Sequence, residues 1–288
     1  MGELVLAAKM THVPTLQMSE QEGALKGKRQ AAIDGHLEIA RRAKALGVDT
    51  VVICDTHWLV NAGFHVNANE RFEGLLTLSE FPQFIRDLPY AHRGNPDLGD
   101  AIAQRATELG VFTLSHHLDS LDLEYGTLVP MHFMSRAHDM KVVSVAAFCT
   151  VHDHQESRLV GQAIREAIEA SDSKVLLVAS GSLSHKIWSN RDYAPNNGTF
   201  TISSEFNRQV DLMVLEMWKR GDHATFLKML GDYAKHCSGE GSMHDTAMLY
   251  GALGWDSYTG RCDVVTEYFP SSGTGQVNVI FPVDGMPI

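Results

Sequence analysis

Hydrophobic positions along this chain follow two different patterns. Glu3 to Ala8, Val51 to Cys54, Lys141 to Cys149 and Lys174 to Ala179 are short runs of Val, Leu, Ile and Ala with charge only at their edges. Runs of that length predict strands buried on both faces of a sheet. Between them the period changes to three and four. Ile33, Leu37, Ala40 and Ala43 predict a helix from about Glu22 to Leu46, with Gly47 at its C-cap. Further helices are expected over Asn95–Leu109, closed by Gly110, and over Tyr125–Met134, Glu156–Ala170, Ser203–Arg220, His223–Met229 and Ser242–Leu253. Shorter strands are expected at Phe64–Val66 and Val111–Leu114, and two closing antiparallel strands at Cys262–Phe269 and Gln276–Phe281. Lys9–Ser19 reads as a loop, and Trp58–Pro89 as mostly irregular.

Alternating strands and helices predict an α/β fold, a central mixed, mostly parallel sheet with helices on both faces. No Pro/Gly/Ser linker divides the 288 residues, so one domain over 1–288 is expected. Ligands of such sheets bind at the carboxyl ends of the strands. His12, His57 and His185 each lie just past the end of a predicted strand, and this coincidence organises the rest of the reading.

Composition narrows the choices. Apolar residues are 44% and charged residues 20%, as in soluble globular proteins. A net charge of −11 argues against nucleic acid or an anionic membrane as partner. No apolar run reaches the length of a membrane span, and no signal-peptide core is visible. The four cysteines, Cys54, Cys149, Cys237 and Cys262, have no CxxC spacing and read as reduced thiols of a cytoplasmic protein. Histidine is abundant, at 15 residues.

Three constellations carry candidate chemistry. His12 and His57 with a carboxylate form a set that leaves open positions on a metal, as non-haem Fe(II) requires. Ser180-Gly181-Ser182-Leu183-Ser184-His185 is a tight turn that places a histidine, a general acid or base near neutral pH, at the sheet edge. Ser238-Gly239-Glu240-Gly241 offers a carboxylate between glycines at a helix entry. Surface placement is an equally good reading of each histidine taken singly. A serine nucleophile at Ser182 or Ser184 lacks the GxSxG elbow. His152-Asp153-His154 is a weaker metal candidate beside helix capping, and His116-His117 would point to opposite faces of a strand. Phe81, Phe84, Trp188 and Trp218 read as core or rim. No Walker A or GxGxxG loop suggests a nucleotide.

Met10-Thr11-His12-Val13-Pro14, Asp55-Thr56-His57-Trp58, Ser180–His185 and Gly239-Glu240-Gly241, in this order across nearly the whole chain, resemble the class III extradiol ring-cleaving dioxygenases, the superfamily of the protocatechuate 4,5-dioxygenase β subunit. The resemblance implies Fe2+ held by His12, His57 and Glu240, with Mn2+ or Mg2+ also compatible with the ligands. It implies His185 as acid or base, O2 as co-substrate, and a catechol with a carboxylate arm, 3,4-dihydroxyphenylacetate foremost, opened to a muconate semialdehyde. It also implies a homo-oligomer. Many members carry a second catalytic histidine in an Asp-His-Gly segment; here Leu123-Glu124-Tyr125-Gly126 stands there. Tyr125 is a donor but a poor base at neutral pH, and His117 is the nearby candidate to replace that histidine. For the carboxylate arm, Arg191, His117 and Ser or Thr hydroxyls are candidates. A Zn-dependent hydrolase, using His12, His57 and a carboxylate or His154, and a non-enzymatic binding protein of this fold are the rival readings.

Overall fold

The structure, a computed structural model, describes residues 1–283. Its strands are β1 (Glu3–Met10), β2 (Thr50–Val60), β3 (Phe64–Asn67), β4 (Arg71–Leu76), β5 (Leu88–Arg93), β6 (Thr113–His116), β7 (Lys141–Cys149), β8 (Lys174–Ser180), β9 (Asp263–Ser271) and β10 (Thr274–Phe281). Eight pair in the order β6-β3-β7-β2-β8-β1-β10-β9. The β7-β2-β8-β1 centre is parallel, as is β3-β6, while β10 joins β1 and β9 antiparallel and β3 joins β7 antiparallel. The α/β expectation holds.

Burial explains why the central strands read as unbroken apolar runs. Successive residues of β8 face opposite cores. Leu177 belongs to the core cluster that includes Val160, Ile164, Val214 and Met248 from helices His154–Ala170, Glu205–Arg220 and His244–Leu253. Leu176 belongs to the opposite cluster, with Ile39, Ala40 and Met131 from helices Gln30–Ala45 and Tyr125–Met134. Each such side chain contributes ~1.5–3 kcal/mol by leaving water.

Register positions the site. Ser180 pairs with Met10 on one side and with Asp55 on the other. β1 and β8 therefore end level, where β2 parts from β8 at Asp55, and the residues that follow these points meet at one edge. Because β10 runs antiparallel to β1, the β9–β10 turn arrives at that same edge.

Several boundaries differ from expectation for physical reasons. The second helix begins at Gln30, not near Glu22, because Gly23 and Gly27 adopt φ of +134° and +76°. A short helical turn, Thr15–Met18, occupies the expected loop. Helix His223–His236 runs past Met229. The last helix starts at His244, since Gly241, Ser242 and Met243 are all left-handed, with φ of 52°, 54° and 64°. The segment read as irregular holds the β4–β5 hairpin; Gly74 and Pro89 interrupt its alternation.

Asp211 ties this framework to the edge. Fully buried on helix Glu205–Arg220, it accepts hydrogen bonds from Tyr233 Oη (2.6 Å), Ser184 Oγ (2.7 Å) and Tyr268 Oη (2.9 Å). Burial pushes its carboxyl up to about 6 despite the three hydroxyl donors that favour the anion. The folded protein then binds this proton more tightly than the unfolded chain. Stability that is present below the ordinary value of 3.8 is lost as pH rises through about 6. The shift corresponds to about 3 kcal/mol. Asp211→Asn should remove that part of the pH slope, read from denaturant midpoints between pH 4 and pH 7. An unaltered slope would show that Asp211 titrates normally.

Candidate metal centre and active site

The end of β1 delivers His12, buried, with its ring fixed by Ser180. Ser180 Oγ donates to the Gly126 carbonyl, so toward His12 Nδ1 (2.9 Å) it accepts. The Nδ1–H tautomer follows, and Nε2 presents its lone pair. His57 arises from a bulge. Asp55 pairs with Ala146 and Leu59 with Phe148, so β2 carries two more residues than β7 over this stretch. Bulges re-aim side chains, and this one turns His57 inward. Asp55 holds the bulge by accepting from the His57 backbone N–H (2.8 Å) rather than from its ring, and it also accepts from Thr127 Oγ1 (2.7 Å). Gly126 permits this approach, because a Cβ there would lie 2.1 Å from Asp55 Oδ1.

Glu240 comes from the turn before the last helix. Its N–H donates to the Leu183 carbonyl, and His185 N–H to the Ser238 carbonyl (2.8 Å), which joins that turn to the Ser180–His185 turn. Gly241 at φ +52° lies against Thr56, where a Cβ would meet the Thr56 side chain at 2.9 Å.

These three side chains converge. Glu240 Oε1 lies 3.0 Å from His12 Nε2 and 3.3 Å from His57 Nε2, and one ligand atom from each residue falls within 4.8 Å of the others. Separations near 3 Å match neighbouring ligands around a small divalent cation, given metal–ligand bonds of about 2.1 Å. The donor chemistry agrees: a lone pair of His12 faces a carboxylate oxygen, an arrangement that needs a cation or a proton between them. Glu240 also accepts from Thr56 Oγ1 (2.9 Å) and the Ser182 N–H. Burial pushes its carboxyl up, but His185 and His12 hold it well below the carboxylate range. Burial conversely lowers His57, and the hydrogen bond to Glu240 only partly offsets this.

His185 stands beside the trio. Its Nδ1 contacts Ser182 Oγ (2.7 Å) and Glu240 Oε2 (3.2 Å), while Nε2 has no hydrogen bond among the described residues. Burial lowers the imidazole, yet the charge and hydrogen bond of Glu240 prevail and its pKa is raised. Tyr125 lies over His57, ring centres 3.7 Å apart, and 5.5 Å from His12. Burial, then Glu240 and Asp55, push its phenol far above the usual value, so it stays protonated and keeps its O–H to donate.

A cavity of about 190 Å³ opens above His12, His57, Tyr125, His185 and Glu240. Phe81, Phe84 and Trp188 line it, Phe81 at its exposed rim, and Trp218 is core. Its polar wall is Thr15, Tyr193, Ser271, Ser272 and Thr274, and it holds Glu80 but no lysine or arginine. A second cavity, of about 300 Å³, reaches His57, His185 and Glu240 from the side of Thr56, Phe148 and Gly241.

Two expectations are corrected. His117 is exposed, bonds Asp100 (2.8 Å) and lines neither cavity, because β6 is the edge strand farthest from β1 and β8 on that side. Arg191 is exposed and meets Asp192 (3.3 Å), while its neighbours Asn190 and Tyr193 face the cavity. His154 does not join the trio, since the Ser242 carbonyl takes its Nε2 (2.7 Å). His152 bonds Glu156 and the Gly63 carbonyl, as a capping segment would. Ser184 is committed to Asp211, and Ser182 is fully buried, so neither offers a nucleophile. Sequence reasoning missed Ser180 as orienter of His12 and Thr56 as donor to Glu240. Both lie inside the quoted motifs.

Residues 6–282 match the family described as the catalytic LigB subunit of aromatic ring-opening dioxygenase. Over 261 residues the chain is 50% identical to 3,4-dihydroxyphenylacetate 2,3-dioxygenase of Escherichia coli, covering 91% of this chain and 94% of that one. It is 22% identical over 288 residues to the 2-aminophenol 1,6-dioxygenase beta subunit of a Pseudomonas species, covering 93% and 94%. The crystal structure of an uncharacterized Escherichia coli K12 protein shares the fold, with a TM-score of 0.58 and 13% identity, covering 96% of this chain and 99% of that one.

Proposed function

Since this chain belongs to the family of catalytic LigB subunits of aromatic ring-opening dioxygenases, and is an extradiol dioxygenase, we propose that it opens 3,4-dihydroxyphenylacetate beside the diol, using Fe2+. Both atoms of O2 enter the product, a muconate semialdehyde. The observation that carries the reading is the gathering of His12, His57 and Glu240, with His185 alongside, on the floor of one cavity walled by hydroxyls. Identity of 50% to an enzyme named for this substrate supports the choice of acid.

His12, His57 and Glu240 would hold the metal on one face. When bound, iron would supply open coordination positions and a path for electrons from the catechol, the reductant, to O2. The protein's own groups do the rest. Glu240 raises the basicity of His185, whose free Nε2 takes a proton from the substrate hydroxyl. Tyr125 donates a hydrogen bond above the same face. Phe81, Phe84 and Trp188 exclude water around the ring, and the hydroxyls of Thr15, Tyr193, Ser271 and Ser272 receive the carboxylate. The same reading makes the protein a cytoplasmic homo-oligomer. Four buried, unbridged cysteines support the reducing compartment, and the family resemblance supports the assembly. No helix of the described residues is long and apolar enough to cross a membrane. Ring-opening family membership and the absence of His154 from the trio turn the balance against hydrolysis.

Metal-free protein reconstituted anaerobically with Fe2+, Mn2+, Mg2+ or Zn2+ tests the proposal. With 3,4-dihydroxyphenylacetate and O2, the Fe2+ sample should consume one O2 per substrate and turn yellow, and the Zn2+ sample should do neither. No uptake with any of the metals would sink the reading.

A further inference from the structure

The cavity poses an electrostatic problem for an anionic substrate. Among the described residues, its charged lining residues besides histidine are Glu80 and Glu240, and no lysine or arginine stands on the wall away from the metal trio. The whole protein carries −11, so its long-range field repels an acid as well. Hydroxyls bind a carboxylate but bring no charge.

One cation stands directly behind the hydroxyl wall. Arg29 is 7% exposed, and its Nη2 donates to the carbonyls of Thr199 (2.7 Å) and Pro270 (3.0 Å). Its guanidinium lies 4.7 Å and 4.9 Å from the ring centres of Phe200 and Phe269. No carboxylate pairs with it among the described residues, and its Nε finds no partner there. A desolvated cation without a counter-ion is costly, and burial lowers its pKa to about 10. Each of its anchors adjoins the cavity. Pro270 precedes Ser271, whose Oγ meets Thr15 Oγ1 (3.1 Å), and Thr199 Oγ1 meets Tyr193 Oη (3.0 Å). Thr15, Tyr193 and Ser271 all line the cavity.

We infer that Arg29 is a specificity-determining positioning residue: from behind the wall of Thr15, Tyr193 and Ser271 it supplies the positive charge that selects a catechol with an anionic arm. The inference rests on the reading of the substrate as such an acid. Arg29 touches no reacting atom. It acts by fixing the hydroxyls and by making their site positive, in a low-dielectric setting where a charge acts over more than contact distance.

The test uses metal-reconstituted enzyme and two substrates, 3,4-dihydroxyphenylacetate and neutral 4-methylcatechol. Arg29→Met should raise KM for the acid by roughly tenfold or more, with kcat little changed and KM for 4-methylcatechol within about twofold. Arg29→Lys, which keeps the charge, should recover most of the loss. Tyr193→Phe leaves the guanidinium and its carbonyl bonds in place, and should give a smaller rise confined to the acid. It carries the test if Arg29→Met does not fold. Equal losses on both substrates, or a wild-type preference for the acid that survives these variants, overturn the role of Arg29 alone. Wild-type enzyme that opens the neutral catechol as efficiently as the acid overturns the substrate reading and this inference together.

Discussion

Glu240→Ala is expected to yield a folded protein that no longer retains stoichiometric divalent metal and has no measurable ring-opening activity. Glu240 is the one anionic group of the trio and sits within 3.3 Å of both imidazole ligands. Removing it leaves two neutral nitrogens, so affinity should fall by far more than the ~10–100-fold typical of losing an outer-shell partner. The variant also strips the acceptor from the Ser182 N–H and the counter-charge from His185, while Thr56 Oγ1 keeps the Ser180 carbonyl (3.0 Å) as its acceptor, so some stability is lost with the metal. Metal analysis after gel filtration, beside circular dichroism, separates the two effects. Stoichiometric metal in a folded Glu240→Ala protein would move the ligand elsewhere. The alternatives are poorly placed: Glu205 is exposed and bound to Arg208, Glu267 is exposed, and Glu124 is outside the trio.

His185→Gln should have the opposite signature, with metal retained and chemistry lost. Its Nδ1 touches Glu240 without completing the trio, so metal content should stay near that of wild type. General acid–base catalysis is worth ~10²–10⁴-fold, and kcat should fall by that amount while KM for the catechol changes little. The pH profile adds a second readout. The base form of an imidazole is lost as pH falls through its pKa, so the acid limb of wild-type kcat/KM is expected to report His185. That limb should flatten in His185→Gln. A kcat within about threefold of wild type would rule out His185 as the base.

The parts of the site visible in the sequence are those written in short contiguous motifs. His12, His57, His185 and Glu240 each sit in a turn or bulge next to a strand or helix end, where local pattern and position agree. The central sheet was equally visible, because strands buried on both faces are unbroken apolar runs. The substrate cavity was not. Thr15, Glu80, Tyr193 and Ser271 come from four separate segments, and only the register of β1 with β8 and β10 brings three of those regions to one edge. Arg191 suits the role by charge, but it sits on a four-residue helix of which Asn190 and Tyr193 take the inward side. His117 looked suitable by proximity in sequence, but β6 lies at the sheet's far margin. Arg29 carries no motif at all. Its interest lies in a missing counter-ion, which only packing reveals.

The division of the sheet has a consequence for how such a protein can change. The metal trio and His185 hang from the ends of β1, β2 and β8 and from the turn laced to them. The other walls of the cavity hang from the β9–β10 turn, the segment around Trp188 and Tyr193, and the loop before β5. Substitutions in the second group alter which ring is welcomed without moving a ligand nitrogen. The chain thus separates an inherited reaction from an adjustable appetite, and mutational drift at the cavity rim has room to find new aromatic substrates while the chemistry beneath stays constant.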